Sequence, residues 1–572
     1  MAITLKSSLM RVRAAWGPLS VPTIFTIAFL VILASMNRSV NLYDEGVVVT
    51  DATRVLAGEV IHRDFYANYG PAQFYILAAL FKLFGPTILV ARLWGVLVKA
   101  SIVVAVYLLG RRVMPVAWAL VSSICAMVWL GLAENTVWPA WPAFLASICS
   151  VFTLIAIFEK GPSVKRILAA GALVGLATLF RYDIGFIVCT AEAAVLFPYS
   201  FIVSADARSR LRSVVVNLAA YCAGIATVCL PVATVFWFAG AIGDLLFDVV
   251  LFPARHYAAT RSLPFPLPLA GRRPLYSFEY IVYFPLLVCL GVAFTAIPLN
   301  RHRDSLVPRF RTGTEDSPRG MWELTLLCAV TLGFFSKGLV RVSAVHMSMA
   351  VIPAALILAS LLSANARRKV SIGLAVFLAV AMLAGVIPTL KAYNLLTGVI
   401  ANNLNHVLGR GRSHSIQSDA IDPDSCHPSP GLERIACFKF AQDQSAAVRY
   451  VQANTMVSDP IFVGLPQHER IYVNNVAFYF VANRPPATKW YHFDPALQNS
   501  KPIQELMIRD LLASRPKYVV LDAQWEGARE ANESAKSSGV KLLDEFIGKN
   551  YRSVAAFGSL SVLKYSNLNS PR

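Results

Sequence analysis

Long apolar runs separated by short polar junctions dominate the first two thirds of the chain. The runs lie near Leu19–Met36, Thr87–Leu109, Pro115–Leu132, Ala143–Phe158, Ile167–Phe180, Ile184–Val203, Val214–Phe238, Glu279–Leu299, Met321–Phe335, Met347–Ser363 and Val370–Leu390. A helix of roughly 20 residues crosses a bilayer, so the pattern predicts about eleven transmembrane helices. Ile167–Phe180 is short and must recruit its flanks or sit among other helices. Pro71–Phe84 is apolar but too short to cross, which fits an interfacial helix. After Asn394 the pattern changes. Residues 391–443 are rich in Gly, Ser, Asp, Pro and His and read as an irregular connector. Beyond it, helical periodicity at Ala446–Asn454 and Pro502–Ser514 alternates with strand-like Pro460–Leu465 and Lys517–Asp522, while Ile471–Val481 fits either form. Tyr551–Phe557 and Ser559–Tyr565 complete a hairpin. The expected organisation is an α-helical polytopic membrane domain (1–390), a connector (391–443) and an extracytoplasmic α/β domain (444–572).

Composition agrees, with 56% hydrophobic and 15% charged residues and a mean hydropathy of +0.56. A net charge of +19 suits a nucleic-acid binder, but its placement excludes that partner. Basic residues recur at every second junction: Lys6/Arg11/Arg13, Arg111-Arg112, Lys160/Lys165/Arg166, Arg208/Arg210/Arg212, Arg301 to Arg311 and Arg367-Arg368-Lys369. Lys and Arg mark cytoplasmic loops, so the partner is a lipid bilayer, the N-terminus is cytoplasmic and the tail lies outside. Seven of the nine cysteines lie in apolar runs. Cys426 and Cys437 stand alone in the tail, where an oxidising compartment would join them in a disulfide and a reducing lumen would leave two thiols.

The first external loop, 37–86, carries the densest chemistry. It opens with Tyr43-Asp44-Glu45-Gly46 and continues through Arg63-Asp64-Phe65-Tyr66 to Tyr69-Gly70-Pro71. A helix is expected from Gly46 to Ala57, ended by Gly58. Asp44 would then be its N-cap and Glu45 a first-turn acid, or the pair could be chemical. Three further groups stand at outer junctions. Arg181-Tyr182-Asp183 fits a surface ion pair or an anion site. Arg255-His256-Tyr257 with Arg261 fits membrane-belt anchoring or a phosphate or sugar site. Lys337, Arg341 and His346 run against the orientation rule. Deeper, Lys99 and Glu192 could pair within the membrane or line a groove. Metal-ligand spacings and nucleotide fingerprints are absent, so neither a metal nor a cofactor is expected.

This plan, with the Tyr43-Asp44-Glu45-Gly46 opening and the Gly58 to Pro71 continuation after one anchor, resembles the GT-C membrane glycosyltransferases. The similarity is greatest to the protein O-mannosyltransferase and lipid A aminoarabinose transferase group. The resemblance implies transfer of a sugar from a polyprenyl-phosphate carrier to a glycan, lipid or protein hydroxyl at the periplasmic face of a bacterial inner membrane. It implies an inverting displacement with Asp44 as base and Glu45 as its alternative or as a donor-site acid. Tyr43, Arg63, Asp64, Tyr66, Tyr69, Arg181, Asp183, Arg255, His256, Tyr257, Arg261, Lys337, Arg341 and His346 are the expected binding residues. A transporter or flippase of lipid-linked sugars is the alternative reading. Transporters keep coupling acids near mid-membrane, whereas these acids cluster outside.

Overall fold

In the computed structural model, the described residues are 21–36, 39–132, 137–203, 207–265, 282–296, 319–342, 344–365, 426 and 429–566. Ten of the eleven apolar runs fall on helices there: α1 (Val21–Ala34), α4 (Ile88–Val113), α5 (Val116–Leu132), α6 (Ala140–Lys160), α7 (Val164–Phe180), α8 (Tyr182–Val203), α9 (Ala207–Phe238), α12 (Tyr283–Ala296), α13 (Arg319–Gly338) and α14 (Ala344–Asn365). The run Val370–Leu390 and most of the connector lie outside the described residues. Among the described residues, five helices are by themselves long and apolar enough to cross a membrane. The chain is a multi-pass membrane protein.

The short run at Ile167–Phe180 does recruit its flank, because α7 begins at Val164. It also packs closely on α9. A β-carbon at Gly171 would meet the Tyr221 carbonyl at 2.2 Å, and one at Gly224 would meet the Leu168 carbonyl at 2.1 Å. Small residues on both helices let the backbones approach, the usual geometry of helix association in lipid. Within the bundle, Lys99 and Glu192 do not pair with each other. The Lys99 ammonium donates to the Leu130 carbonyl (3.2 Å) and lies over Trp141, while Glu192 accepts from Ser150 (2.9 Å) and Tyr221 (2.7 Å).

Two further helices, α2 (Asp44–Leu56) and α3 (Ala72–Phe84), form the first loop. The helix α2 starts two residues earlier than expected. Asp44 is not its cap but its first residue: Tyr43 holds the cap position, and the Asn41 side-chain oxygen accepts from the backbone N–H groups of Tyr43 (3.1 Å) and Asp44 (2.9 Å). Beyond the last turn, Gly58 sits at φ +93°, the left-handed position that ends helices. At the end of α3 the side chains of Leu83 and Phe84 are exposed, as an interfacial helix requires. A broken helix follows α9, with α10 (Ile242–Leu246), two π turns (Phe247–Leu251 and Pro253–Tyr257) and α11 (Ala258–Arg261).

The C-terminal part, residues 429–566 (the C-terminal half, named for its place beyond the bundle), carries a four-stranded sheet in the order β1-β2-β4-β3: β1 (Ile461–Gly464), β2 (Tyr518–Asp522), β3 (Tyr551–Phe557) and β4 (Leu560–Tyr565). Strand β1 runs parallel to β2, and β4 pairs antiparallel with both β2 and β3. The helices α15 (Gln442–Asn454), α16 (Ala477–Ala482), α17 (Lys501–Ser514) and α18 (Leu542–Asn550) complete it. Helix α18 has no counterpart in the sequence reading. Its nine residues sit directly against β3, too few to show a period. Cys426 and Cys437 form a disulfide.

This half is seated on the first loop. Ala477 N–H donates to the Leu42 carbonyl (2.8 Å), Tyr66 N–H donates to the Lys489 carbonyl (3.1 Å), and Lys489 pairs with Asp244 (2.8 Å). Gly46 lies beneath α16, where a β-carbon would come within 2.3 Å of the Ala477 nitrogen. The Gly of Tyr43-Asp44-Glu45-Gly46 therefore serves a backbone contact with a segment more than 400 residues away in sequence.

Candidate active site

A cavity of about 430 Å³ opens where the first loop, one end of the helical bundle and the C-terminal half meet. Helix ends bring its charged side chains together. Asp44 comes from the first turn of α2, Arg181 and Asp183 from the α7–α8 turn, Lys337 from the end of α13, His346 from the start of α14, and Arg261 from the end of α11. The opposite helix ends carry Arg111, Arg112 and Lys160, with Arg112 paired to Glu159.

The two acids of the first loop part company. Glu45 is fully buried, and both of its carboxylate oxygens accept from Arg92 at 2.7 Å. Arg92 is stacked on Phe438 and also donates to the Ser39 carbonyl (2.7 Å). Glu45 therefore forms a buried ion pair with Arg92 and is not among the residues that line the cavity. Successive helix positions point about 100° apart, which sends one acid to the core and the other to the cavity. Asp44 is half-buried and lines the cavity. Its carboxylate makes one long hydrogen bond among the described residues, from the Asn41 amide (3.5 Å). Burial raises its pKa above the ordinary carboxylate value. The charges of Arg261 and Arg341 pull the other way, and that of Asp494 adds to the rise.

Opposite stand the cations. Asp183 is bridged by Arg181 (3.0 Å) and Lys337 (3.1 Å), and the Arg181 guanidinium lies over the Tyr69 ring. Gly70 makes this possible. A β-carbon there would meet the Leu179 carbonyl at 2.2 Å, so the loop passes directly over the end of α7. Arg341 pairs with Glu530 (2.5 Å), and the His346 ring meets Trp138 edge-on.

Of the residues singled out in the sequence, Tyr43, Asp44, Tyr66, Tyr69, Arg181, Asp183, Tyr257, Arg261, Lys337, Arg341 and His346 line the cavity. Arg63 and Asp64 do not. They pair with each other (2.8 Å), Asp64 accepts from Val60 N–H (2.7 Å), and together they close a turn on the loop's outer side. Arg255 and His256 are exposed and absent from the cavity lining, to which their π turn contributes Pro253 and Tyr257. The sequence reading missed Asn68, Tyr182, Tyr472 and above all Asp494. The last is an acid from the C-terminal half that reaches the cavity and pairs with Arg261 (2.6 Å). Its signal was the Trp490-Tyr-His-Phe-Asp-Pro495 segment, a run of aromatic and ionisable residues unlike an ordinary loop. Among the described residues no group of three or more His, Cys, Asp or Glu side chains stands close enough to hold a metal ion.

Residues 68–237 match the family of dolichyl-phosphate-mannose-protein mannosyltransferases, a stretch running from the cavity-lining Asn68 into α9. No protein of curated function matches the sequence. In fold the chain is similar to ArnT from Cupriavidus metallidurans in the apo state, at 13% identity and a TM-score of 0.53, over 98% of this chain and 100% of that one. The same protein bound to undecaprenyl phosphate matches at 14% identity and 0.52, over 97% and 100%. The archaeal oligosaccharyltransferase AglB from Archaeoglobus fulgidus, in complex with an inhibitory peptide and a dolichol-phosphate, matches at 13% identity and 0.52, over 97% of this chain and 75% of that one. In fold over nearly its whole length, and in sequence over residues 68–237, the chain is similar to the GT-C membrane glycosyltransferases of the protein O-mannosyltransferase and lipid A aminoarabinose transferase group.

Proposed function

We propose that this protein transfers a sugar from a polyprenyl-phosphate carrier to an acceptor hydroxyl at the outer face of a bacterial inner membrane. The N-terminus would be cytoplasmic and the C-terminal domain, residues 444–572, periplasmic. The observation that carries this reading is the cavity itself. It holds one loosely bonded carboxylate, Asp44, in the same space as Arg181, Arg261, Lys337 and Arg341, at the end of the bundle away from the basic junctions. The carriers bound by ArnT and AglB support the choice of donor.

The chemistry follows from these charges. As the acceptor oxygen attacks the anomeric carbon it loses a proton, which Asp44 takes as general base. The bond between the anomeric carbon and the carrier phosphate breaks, and its electron pair leaves with the phosphate. Arg and Lys side chains oppose the charge that gathers there. A single displacement inverts the anomeric centre and needs no covalent enzyme intermediate. Glu45 has no part in it. Tyrosines 43, 66, 69, 182, 257 and 472 supply rings and hydroxyls suited to a sugar. The acceptor is a glycan, a lipid or a protein.

The test is release of polyprenyl phosphate by the protein in nanodiscs with a panel of polyprenyl-phosphate sugars and candidate acceptors. Release with one donor names the sugar. Carrier binding without release from any donor, together with movement of the carrier across a bilayer, supports a flippase instead.

A further inference from the structure

The carboxylate of Asp494 is nearly buried and its hydrogen-bonding capacity is filled. Oδ1 accepts from Arg261 (2.6 Å) and the Tyr43 hydroxyl (3.3 Å), and Oδ2 accepts from the Tyr66 hydroxyl (3.0 Å) and the Asn68 amide (3.4 Å). The Tyr43 hydroxyl also reaches the Phe493 carbonyl (2.9 Å), and Arg261 also donates to the Tyr472 carbonyl (3.3 Å). One acid of the C-terminal half thus gathers three residues of the first loop and the arginine at the end of α11. A carboxylate held by Arg261, Tyr66 and Asn68, and sharing the Tyr43 hydroxyl proton with the Phe493 carbonyl, is a poor base, yet it controls two groups that matter. It sets the direction of Arg261 and offsets its charge, and it anchors Tyr43, the residue next to Asp44.

Resting on the transferase reading above, we infer that Asp494 is a positioning residue of the transfer site: it aims Arg261 into the cavity, offsets its charge, and holds Tyr43 so that Asp44 faces the substrate. Without this offset, Arg261 would hold the carrier phosphate more tightly after transfer as well as before it. An arginine already satisfied by a carboxylate binds the phosphate and releases it. The C-terminal half is then part of the active site.

Three readouts separate this role from simple support of the fold. In Asp494→Asn, which keeps the shape and removes the charge, kcat falls by about tenfold or more while the Kd for undecaprenyl phosphate falls by roughly threefold or more. The acid limb of the pH profile also moves to lower pH. The charged and titratable groups facing Asp44 are Arg261, Arg341, Asp494, Tyr43 and Tyr69, and removal of the Asp494 charge leaves the two arginines to favour the carboxylate form. Asp494→Glu restores part of kcat. Asp244→Asn, which breaks the Lys489 contact at the same junction but lies outside the cavity, leaves all three readouts at wild-type values.

The experiment measures donor turnover, its pH profile and undecaprenyl phosphate binding for wild type, Asp494→Asn, Asp494→Glu and Asp244→Asn in nanodiscs. A lower kcat with tighter carrier binding supports the inference. Unchanged kcat and Kd in Asp494→Asn overturn it, as do parallel losses of turnover and affinity in Asp494→Asn and Asp244→Asn. If Asp494→Asn does not fold, Tyr43→Phe, which keeps the Asp494–Arg261 pair and releases only Tyr43, decides the positioning of Asp44: kcat falls while the Kd for undecaprenyl phosphate stays at the wild-type value, and an unchanged kcat overturns the inference. A wild type without turnover counts against the transferase reading alone. The two binding constants still decide whether Asp494 restrains Arg261.

Discussion

Arg92 of α4 closes a bidentate pair on Glu45 of α2, deep in the protein and one residue away from the carboxylate that faces the cavity. The pair fixes the first turn of α2 to the bundle, and through that turn it fixes the direction of Asp44.

Substitution of Glu45 by Gln leaves the Arg92 guanidinium buried without its counter-charge, which costs roughly 3–5 kcal/mol. The expected result is a clear fall in melting temperature, with activity lost in proportion to folded protein. Asp44→Asn should behave oppositely. Because burial raises the Asp44 pKa, its protonated form favours the fold below the unfolded value of about 4, and that stability is lost as pH rises through the folded value. A neutral Asn avoids that loss, so at neutral pH this variant should melt no lower than wild type. Thermal melts of the two variants side by side check both statements.

The same raised pKa sets the acid side of the pH profile. A base works only when deprotonated, so turnover should fall as the pH drops through a value above the ordinary carboxylate pKa of about 3.9. An acid limb at or below that ordinary value would show that Asp44 is not the titrating base.

Gly46→Ala tests the seating of the C-terminal half. The new methyl group would collide with the backbone of α16, a contact that cannot relax by rotating a side chain. The expected cost is roughly 1–3 kcal/mol, with faster proteolysis at the junction of the two halves. Equal protease resistance in both proteins would contradict this docking.

Lys337 shares Asp183 with Arg181 at the cavity wall. Lys337→Met removes one cation and leaves Asp183 paired, so the fold should hold. Loss of one charge-assisted contact to phosphate, about 1.5–3 kcal/mol, should raise the donor KM by tenfold or more with kcat less affected. Steady-state kinetics over a donor series measures this.

Much of this arrangement is legible in the sequence because apolar runs are long and periodicity there is unambiguous. The helices from α4 to α9 fall where their runs lie, and the junction charges that break the orientation rule, Lys337, Arg341 and His346, do meet in the cavity. What the sequence hides depends on direction and distance. Asp44 and Glu45 are equivalent acids until the helical turn sends them apart. Arg63 looks like a binding residue until Asp64, its neighbour, takes it. Asp494 is separated from Tyr43 by 451 positions and from Arg261 by 233, so no local pattern joins them. Gly46 reads as the start of a helix, and nothing local shows that its missing side chain admits the backbone of Ala477.

The most direct test of the central claim is polyprenyl phosphate release by wild type and Asp44→Asn in nanodiscs, with carrier binding measured on the same samples. The account predicts that release falls by at least about a hundredfold, the contribution of a general base, while undecaprenyl phosphate still binds. Wild-type release from the Asp44→Asn protein would contradict it.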